Sequence, residues 1–152
     1  MKKQILSIVA TLTLIIPMAI IGLAGLTGRV IVDIPFDFTV GNKELKAGKY
    51  AVSRITPNGP NGTLLIRSED DHAAANFNVN GVTGKDEDSN ARLVFNRYGK
   101  QYFLSQIFDG SGREGYKLMK SKSEREAAKK GDTITQNVVA PQVVTVAARI
   151  ER

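Results

Sequence analysis

The stretch Ala91–Phe108, ARLVFNRYGKQYFLSQIF, restricts the fold more than any other part of the chain. Two runs rich in β-formers, Arg92 to Arg97 and Gln101 to Phe108, flank Gly99. Glycine adopts positive φ without steric cost, which is what the tight primed turns of hairpins require. The pattern predicts a β-hairpin whose two-residue loop is Tyr98-Gly99 or Gly99-Lys100. Either loop gives the same parity: Leu93, Phe95, Tyr102 and Leu104 share one face, and Val94, Phe103 and Ile107 lie opposite among Asn96, Gln101 and Ser105. A sheet wet on one side alternates cleanly between apolar and polar. Apolar groups on both faces therefore place this hairpin centrally, with something covering each side.

The strictest period of two lies at Arg29–Val40. Val30, Val32, Ile34, Phe36, Phe38 and Val40 point one way, while Arg29, Asp33, Asp37 and Thr39 point the other. Pro35 cannot donate to a ladder, so this strand is expected at an edge or bulged. Gly41-Asn42-Lys43 turns the chain, Leu45 tucks back, and a second strand runs from Lys49 to Ile55 with Tyr50 and Val52 on its apolar face. Further strands are expected at Thr63–Ser68, Ala73–Asn80, Tyr116–Met119 and Gln142–Ile150. In the last, Val144, Val146, Ala148 and Ile150 share a face. Leaving that terminal strand unpaired would expose a row of backbone donors and acceptors, so pairing with the Arg29–Val40 strand is the expected closure.

One good helix signal remains, SKSEREAAKK at Ser121–Lys130. Ser121 with Glu124 and Ser123 with Glu126 each fit a capping box, and Gly131 follows as a stop. Being polar nearly all round, this helix is expected to adhere weakly. The fold class is accordingly mainly β: an antiparallel seven- or eight-stranded small barrel or sandwich with one short helix at about 121–130.

Met1-Lys2-Lys3 precedes an uncharged, mostly apolar run from Gln4 to Gly28. A positive n-region before a hydrophobic segment is the pattern of an export signal, and this run exceeds the roughly 20 residues that a bilayer crossing needs. Residues 1–28 are expected to be a signal peptide, cut before Gly25 where Gly22 and Ala24 stand at minus three and minus one, or an uncleaved membrane anchor. Residues 29–152 are expected to be a single β-rich extracytoplasmic domain, periplasmic or secreted, touching the membrane only through that segment where it is retained.

Composition removes several chemistries. The chain has no Cys, which excludes a disulfide framework, a thiolate metal site and a cysteine nucleophile. Setting Lys2 and Lys3 aside, 19 Lys and Arg face 15 Asp and Glu, a modest and scattered excess. The most basic region is Lys117–Lys130, for which a solvated helix face is the expected role and contact with anionic lipid or polymer the alternative. The only His, His72, stands in Glu69-Asp70-Asp71-His72, which reads as a solvated turn. Asp86, Asp88 and Asn90 occupy the first, third and fifth places of a calcium loop, but Ala91 and Arg97 stand where that loop needs Gly and Glu. No metal site and no cofactor is expected. Motifs for a serine nucleophile, a phosphate loop or a zinc protease are missing from the sequence, and no catalytic residues are expected. The basic and aromatic residues at Arg97–Phe103 do not form the stacking platform of an RNA-binding sheet, so nucleic acid is not an expected partner.

PFDFTVGNKELKAGKYAVSR, LLIRS, ARLVFNRYGKQYFLSQIF and SKSEREAAKK together resemble the successive blocks of a group of small exported bacterial proteins, abundant in acidobacteria, to which no activity is assigned. The resemblance implies export and a β-rich domain and brings no site residues. Two functions are open to such a domain. One is a non-enzymatic module that binds an envelope component or a small apolar ligand inside a barrel, with Phe36, Phe38, Phe77, Phe95 and Tyr102 as the candidate lining, although such residues are more often plain core, since small barrels fill with side chains. The other is a hydrolase acting on envelope or extracellular polymer, for which converging carboxylates would be needed.

Overall fold

The structure, a computed structural model, describes residues 28–56, 61–70, 72–84, 90–134 and 140–151. Residues 1–27 of the expected signal segment, residues 57–60, Asp71, nearly all of the calcium-like stretch and residues 135–139 lie outside them. In chain order the elements are β1 (Arg29–Ile34), β2 (Phe38–Val40), β3 (Lys43–Leu45), β4 (Gly48–Arg54), β5 (Gly62–Ser68), β6 (Ala74–Thr83), β7 (Ala91–Tyr98), β8 (Gln101–Asp109), β9 (Glu114–Leu118), α1 (Lys122–Ile134) and β10 (Gln142–Glu151).

Eight of the strands close a barrel in the order β1-β4-β5-β6-β9-β8-β7-β10, every neighbouring pair antiparallel. The seam between the chain ends is the expected one, with Val30 opposite Ile150 and Val32 opposite Ala148. Closure supplies the terminal strand with partners along its length, β7 over Gln142–Ala147 and β1 over Ala148–Glu151. Inside, Val30, Val32, Ile34, Tyr50, Val52, Leu64, Ile66, Leu93, Phe95 and Leu104 form one continuous core. At eight strands the interior is just wide enough for side chains to fill it.

Three expectations need correction. The Arg29–Val40 strand is interrupted: β1 ends at Ile34, the chain leaves the barrel wall at Pro35, and β2 pairs instead with β3 and, through a single parallel bridge between Thr39 and Phe103, with β8. Pro35 has no N–H to give to the continuing ladder, which is why the strand breaks there rather than running on. The hairpin β7–β8 turns through Gly99-Lys100, with Gly99 at φ 59°, but its parity changes halfway. Val94 opposes Gln106 while Phe95 opposes Leu104, so Ser105 is an extra residue on β8. This bulge turns Ile107 to the inside beside Leu93, fully buried, where unbroken alternation places it outside. Lastly, α1 continues through Gly131 to Ile134. An interior glycine lowers helix stability by about 1 kcal/mol and does not by itself end a helix.

The helix starts as expected. Ser121 is the cap, its Oγ accepting from the Glu124 backbone N–H at 3.1 Å and its carbonyl from the Arg125 N–H at 3.1 Å. The Glu124 side chain does not reach back to complete a capping box. It lies 3% exposed and accepts from Asn96 Nδ2 on β7 at 2.8 Å, with Tyr98 Oη at 3.4 Å. Ala127 is buried one turn on, so α1 is docked on the outer face of β7 more firmly than its polar sequence suggests.

On the outside of the other half of the hairpin, Phe108 lies over a gap left by two glycines. A Cβ built on Gly115 would stand 2.5 Å from the Phe108 ring and 2.7 Å from the Ile107 carbonyl oxygen, and one built on Gly84 would stand 3.0 Å from the same ring. The Arg92 guanidinium covers the ring's other side at 4.2 Å from its centroid.

Candidate functional site

The barrel has two chemically distinct interior ends, because alternation along β4 carries Tyr50, Val52 and Arg54 into the same interior. At the Tyr50 end, the chain between Pro35 and Gly48 folds over the barrel as the β2–β3 hairpin. Asp37 locks this excursion, since its Oδ2 accepts from Lys46 Nζ at 2.8 Å and its Oδ1 from the Ala47 N–H at 2.9 Å. These hydrogen bonds, that from Lys46 first, hold the Asp37 carboxyl below the ordinary aspartate range, and the Asp37 carboxylate holds the Lys46 ammonium above its ordinary value. Tyr50 Oη donates to the Lys46 carbonyl at 2.7 Å and so fixes the same loop from inside.

Four of the five aromatic residues expected to line an interior meet here. The Phe36 ring stacks on Tyr102 with centroids 3.9 Å apart and planes 16° from parallel, and meets Phe95 edge-on at 5.2 Å. Phe38 meets Phe95 at 5.6 Å and Tyr50 at 5.2 Å, both edge-on. Offset-stacked and edge-to-face arrangements are the favourable ones for aromatic quadrupoles. Phe38 and Phe95 are wholly buried and act as core. Phe36 and Tyr102 are half-buried, so their stacked pair forms the rim between core and solvent. Phe77 stands apart: it is buried on β6 opposite Leu64 and makes no ring contact with the other four among the described residues.

Two rim groups escaped the sequence. Arg97, on β7 beside Tyr102, holds its guanidinium 5.4 Å from the Tyr102 ring centroid, with Nε donating to the Gly99 carbonyl at 2.8 Å and Nη1 to Gln142 Oε1 at 3.3 Å. The sequence marked it only as one basic residue of a mixed segment. Tyr50 was legible as core from its parity, and its alternation with Val52 was the signal available. At the opposite end, the Arg54 Nη1 donates to Tyr116 Oη at 2.8 Å, and other nitrogens of the same guanidinium donate to the Thr56 and Asn61 carbonyls at 3.0 and 3.1 Å. Its phase with Tyr50 and Val52 along β4 is the local sign of that inward direction, whereas the Tyr116 partner comes from the fold.

Among the described residues the acidic groups and His72 are dispersed. His72 is exposed in the β5–β6 turn at φ 58°, with Glu69 and Asp70 exposed beside it and Asp71 outside the described residues. Asp37 is engaged in the loop lock, and Glu124 lies under α1 on the outside of the barrel. Among the described residues no three His, Asp or Glu side chains gather as a metal would require. Chemically, the rim can stack against a flat apolar or aromatic group and present a guanidinium beside it.

Compared with protein-family models, curated proteins and solved structures, the chain matches none of them.

Proposed function

We propose that this chain is an exported, non-enzymatic β-barrel that binds a small apolar ligand or an apolar portion of an envelope component at the Phe36–Tyr102 rim. The observation that carries this reading is the half-buried stack of two aromatic rings, continuous with the buried core through Phe95. Apolar sites with a few oriented polar groups are the usual form of small-molecule pockets, and Arg97 and the Tyr102 hydroxyl supply those groups. Export rests on Lys2, Lys3 and the apolar run behind them. The hydrolase alternative has less support: Asp37 serves the β2–β3 loop and Glu124, the buried carboxylate, the helix contact.

The test is binding of N-phenyl-1-naphthylamine, a probe that fluoresces in apolar surroundings, together with native mass spectrometry of protein taken from envelope fractions. Probe enhancement and a co-purifying apolar mass are expected, both weakened severalfold in Tyr102→Ala and Phe36→Ala. A probe response in both variants equal to that of the parent, with no bound mass, would refute the site. Cell fractionation with N-terminal sequencing checks export separately: a soluble cytoplasmic protein still beginning at Met1 is the outcome against it.

A further inference from the structure

The segment that follows β8 gathers positive charge on one side of the molecule. Lys117 points outward on β9, because Tyr116 and Leu118 on either side of it pack against the core. Lys120 follows in the connection to α1, and Lys122, Arg125, Lys129 and Lys130 are exposed along the helix. At 1.5 Å per residue, Lys122, Arg125 and Lys129 fall on one helix stripe about 10 Å long. Two acids interrupt this sequence, and the fold removes one of them from the surface: Glu124 is buried against Asn96. The other, Glu126, is exposed and lies 4.0 Å from Lys122. The fold therefore makes the surface more basic than the sequence, which interleaves acids and bases.

One large apolar group stands within this field. Met119 is 75% exposed, between Leu118 and Lys120 at the point where β9 leaves the barrel. A flexible thioether side chain projecting among exposed cations suits a surface that offers anionic headgroups with hydrocarbon beneath them. A soluble polyanion offers the charge without the hydrocarbon.

We propose that the Lys117–Lys130 face docks on an anionic phospholipid surface, its cations on the headgroup phosphates and Met119 inserted at the acyl boundary. The proposal goes beyond ligand binding at the Phe36–Tyr102 rim and does not depend on it. Cationic side chains near a charged bilayer each add attraction that decays within a Debye length, about 8 Å at physiological salt. The contact is therefore expected to be salt-sensitive.

The test exploits the lack of cysteine in the chain. Met119→Cys in the full chain, labelled with an environment-sensitive fluorophore, is reconstituted into vesicles of phosphatidylcholine alone or with phosphatidylglycerol. A blue shift in the phosphatidylglycerol vesicles is expected, at least threefold larger than in the neutral ones, reversed by 0.5 M salt and by the triple variant Lys120→Glu, Lys122→Glu, Arg125→Glu. Circular dichroism of that variant, with a retained β spectrum, keeps a folding defect from imitating the loss. Equal shifts in both vesicle types would overturn the proposal, as would no shift in either. So would a shift produced by soluble dextran sulfate that phosphatidylglycerol does not produce, which would assign the face to a polyanion instead.

Discussion

Asn96 Nδ2 donates to Glu124 Oε1 at 2.8 Å, joining strand β7 to helix α1 across 28 residues of sequence. This contact reverses the value of a residue that hairpin parity alone would rank as dispensable. Asn96 is on the outer face, but that face is covered by α1, and the carboxylate it serves is buried. Removing a hydrogen-bond partner from a buried polar group costs the desolvation of the group left behind. Asn96→Ala should therefore destabilise by about 1–3 kcal/mol, and Glu124→Gln by less, since an amide oxygen still accepts from Asn96. Urea midpoints of the two variants decide it; an Asn96→Ala midpoint equal to that of the parent would mean that α1 does not depend on this contact.

The bulge at Ser105 makes a sharper test of register than the hairpin turn does. Phe95 and Ile107 are both fully buried inside the barrel, whereas Gln106 faces outward opposite Val94. Phe95→Ala should cost about 3–5 kcal/mol and Ile107→Ala about 2–5, large shares of a domain's usual total of 5–15. Gln106→Ala should stay within about 0.5 kcal/mol. A hairpin without the bulge would interchange the costs at 106 and 107.

Gly115→Ala probes the close approach of β9 to β8. Its Cβ would meet the Ile107 carbonyl oxygen at 2.7 Å, and backbone cannot move aside as a flexible side chain does. A loss of about 1–3 kcal/mol is expected, typical of overpacking in a closely packed site. Pairing the change with Phe108→Ala should recover only part of it, because the carbonyl contact remains; full recovery in thermal melts would assign the whole conflict to the ring.

The Asp37 lock predicts a defined pH dependence at the rim. Its pKa is depressed by the hydrogen bonds from Lys46 and the Ala47 N–H, so its contribution is complete above the unfolded aspartate value, roughly 4, and is lost as pH falls through the lower folded value. The Lys46 pKa is raised, so the contribution of the same pair fades at the other extreme, as pH rises through the folded lysine value. The amide resonance of Ala47 should titrate with a midpoint below roughly 4, and Asp37→Asn should abolish that titration. A midpoint at or above the ordinary aspartate value would contradict the lock.

His72 tests the acidic turn. It is exposed and left-handed, a conformation that costs a residue with Cβ more than it costs glycine. His72→Ala should change stability by no more than about 0.5 kcal/mol, and His72→Gly should be neutral or stabilising by up to about 1. A thermal shift with calcium or zinc that vanishes in His72→Ala would instead make the turn a metal site.

Side-chain direction alternates along any extended backbone, so a period of two in the sequence is enough to name a strand and its buried face. That is why Val30, Val32 and Ile34, Leu64 and Ile66, and Val144, Val146 and Ala148 were legible, as were the Gly99 turn and the Ser121 cap, whose requirements are local. The pairing of β10 with β1 was also within reach, because two apolar-faced strands at opposite ends of a chain each lack a partner. The remaining features depend on groups distant in sequence. The departure of β2 to β8 needs an open stretch of β8 edge to receive it, and the Ser105 bulge arises in the pairing of β7 with β8, not in either strand alone. Of the aromatic residues marked as a lining, Phe36, Phe38, Phe95 and Tyr102 converge and Phe77 does not, because barrel closure decides which inward positions lie at the same end. Burial of Glu124 was decided in the same way: a carboxylate on a polar helix is a surface group until the helix is laid against Asn96, and only tertiary packing brings that donor to it.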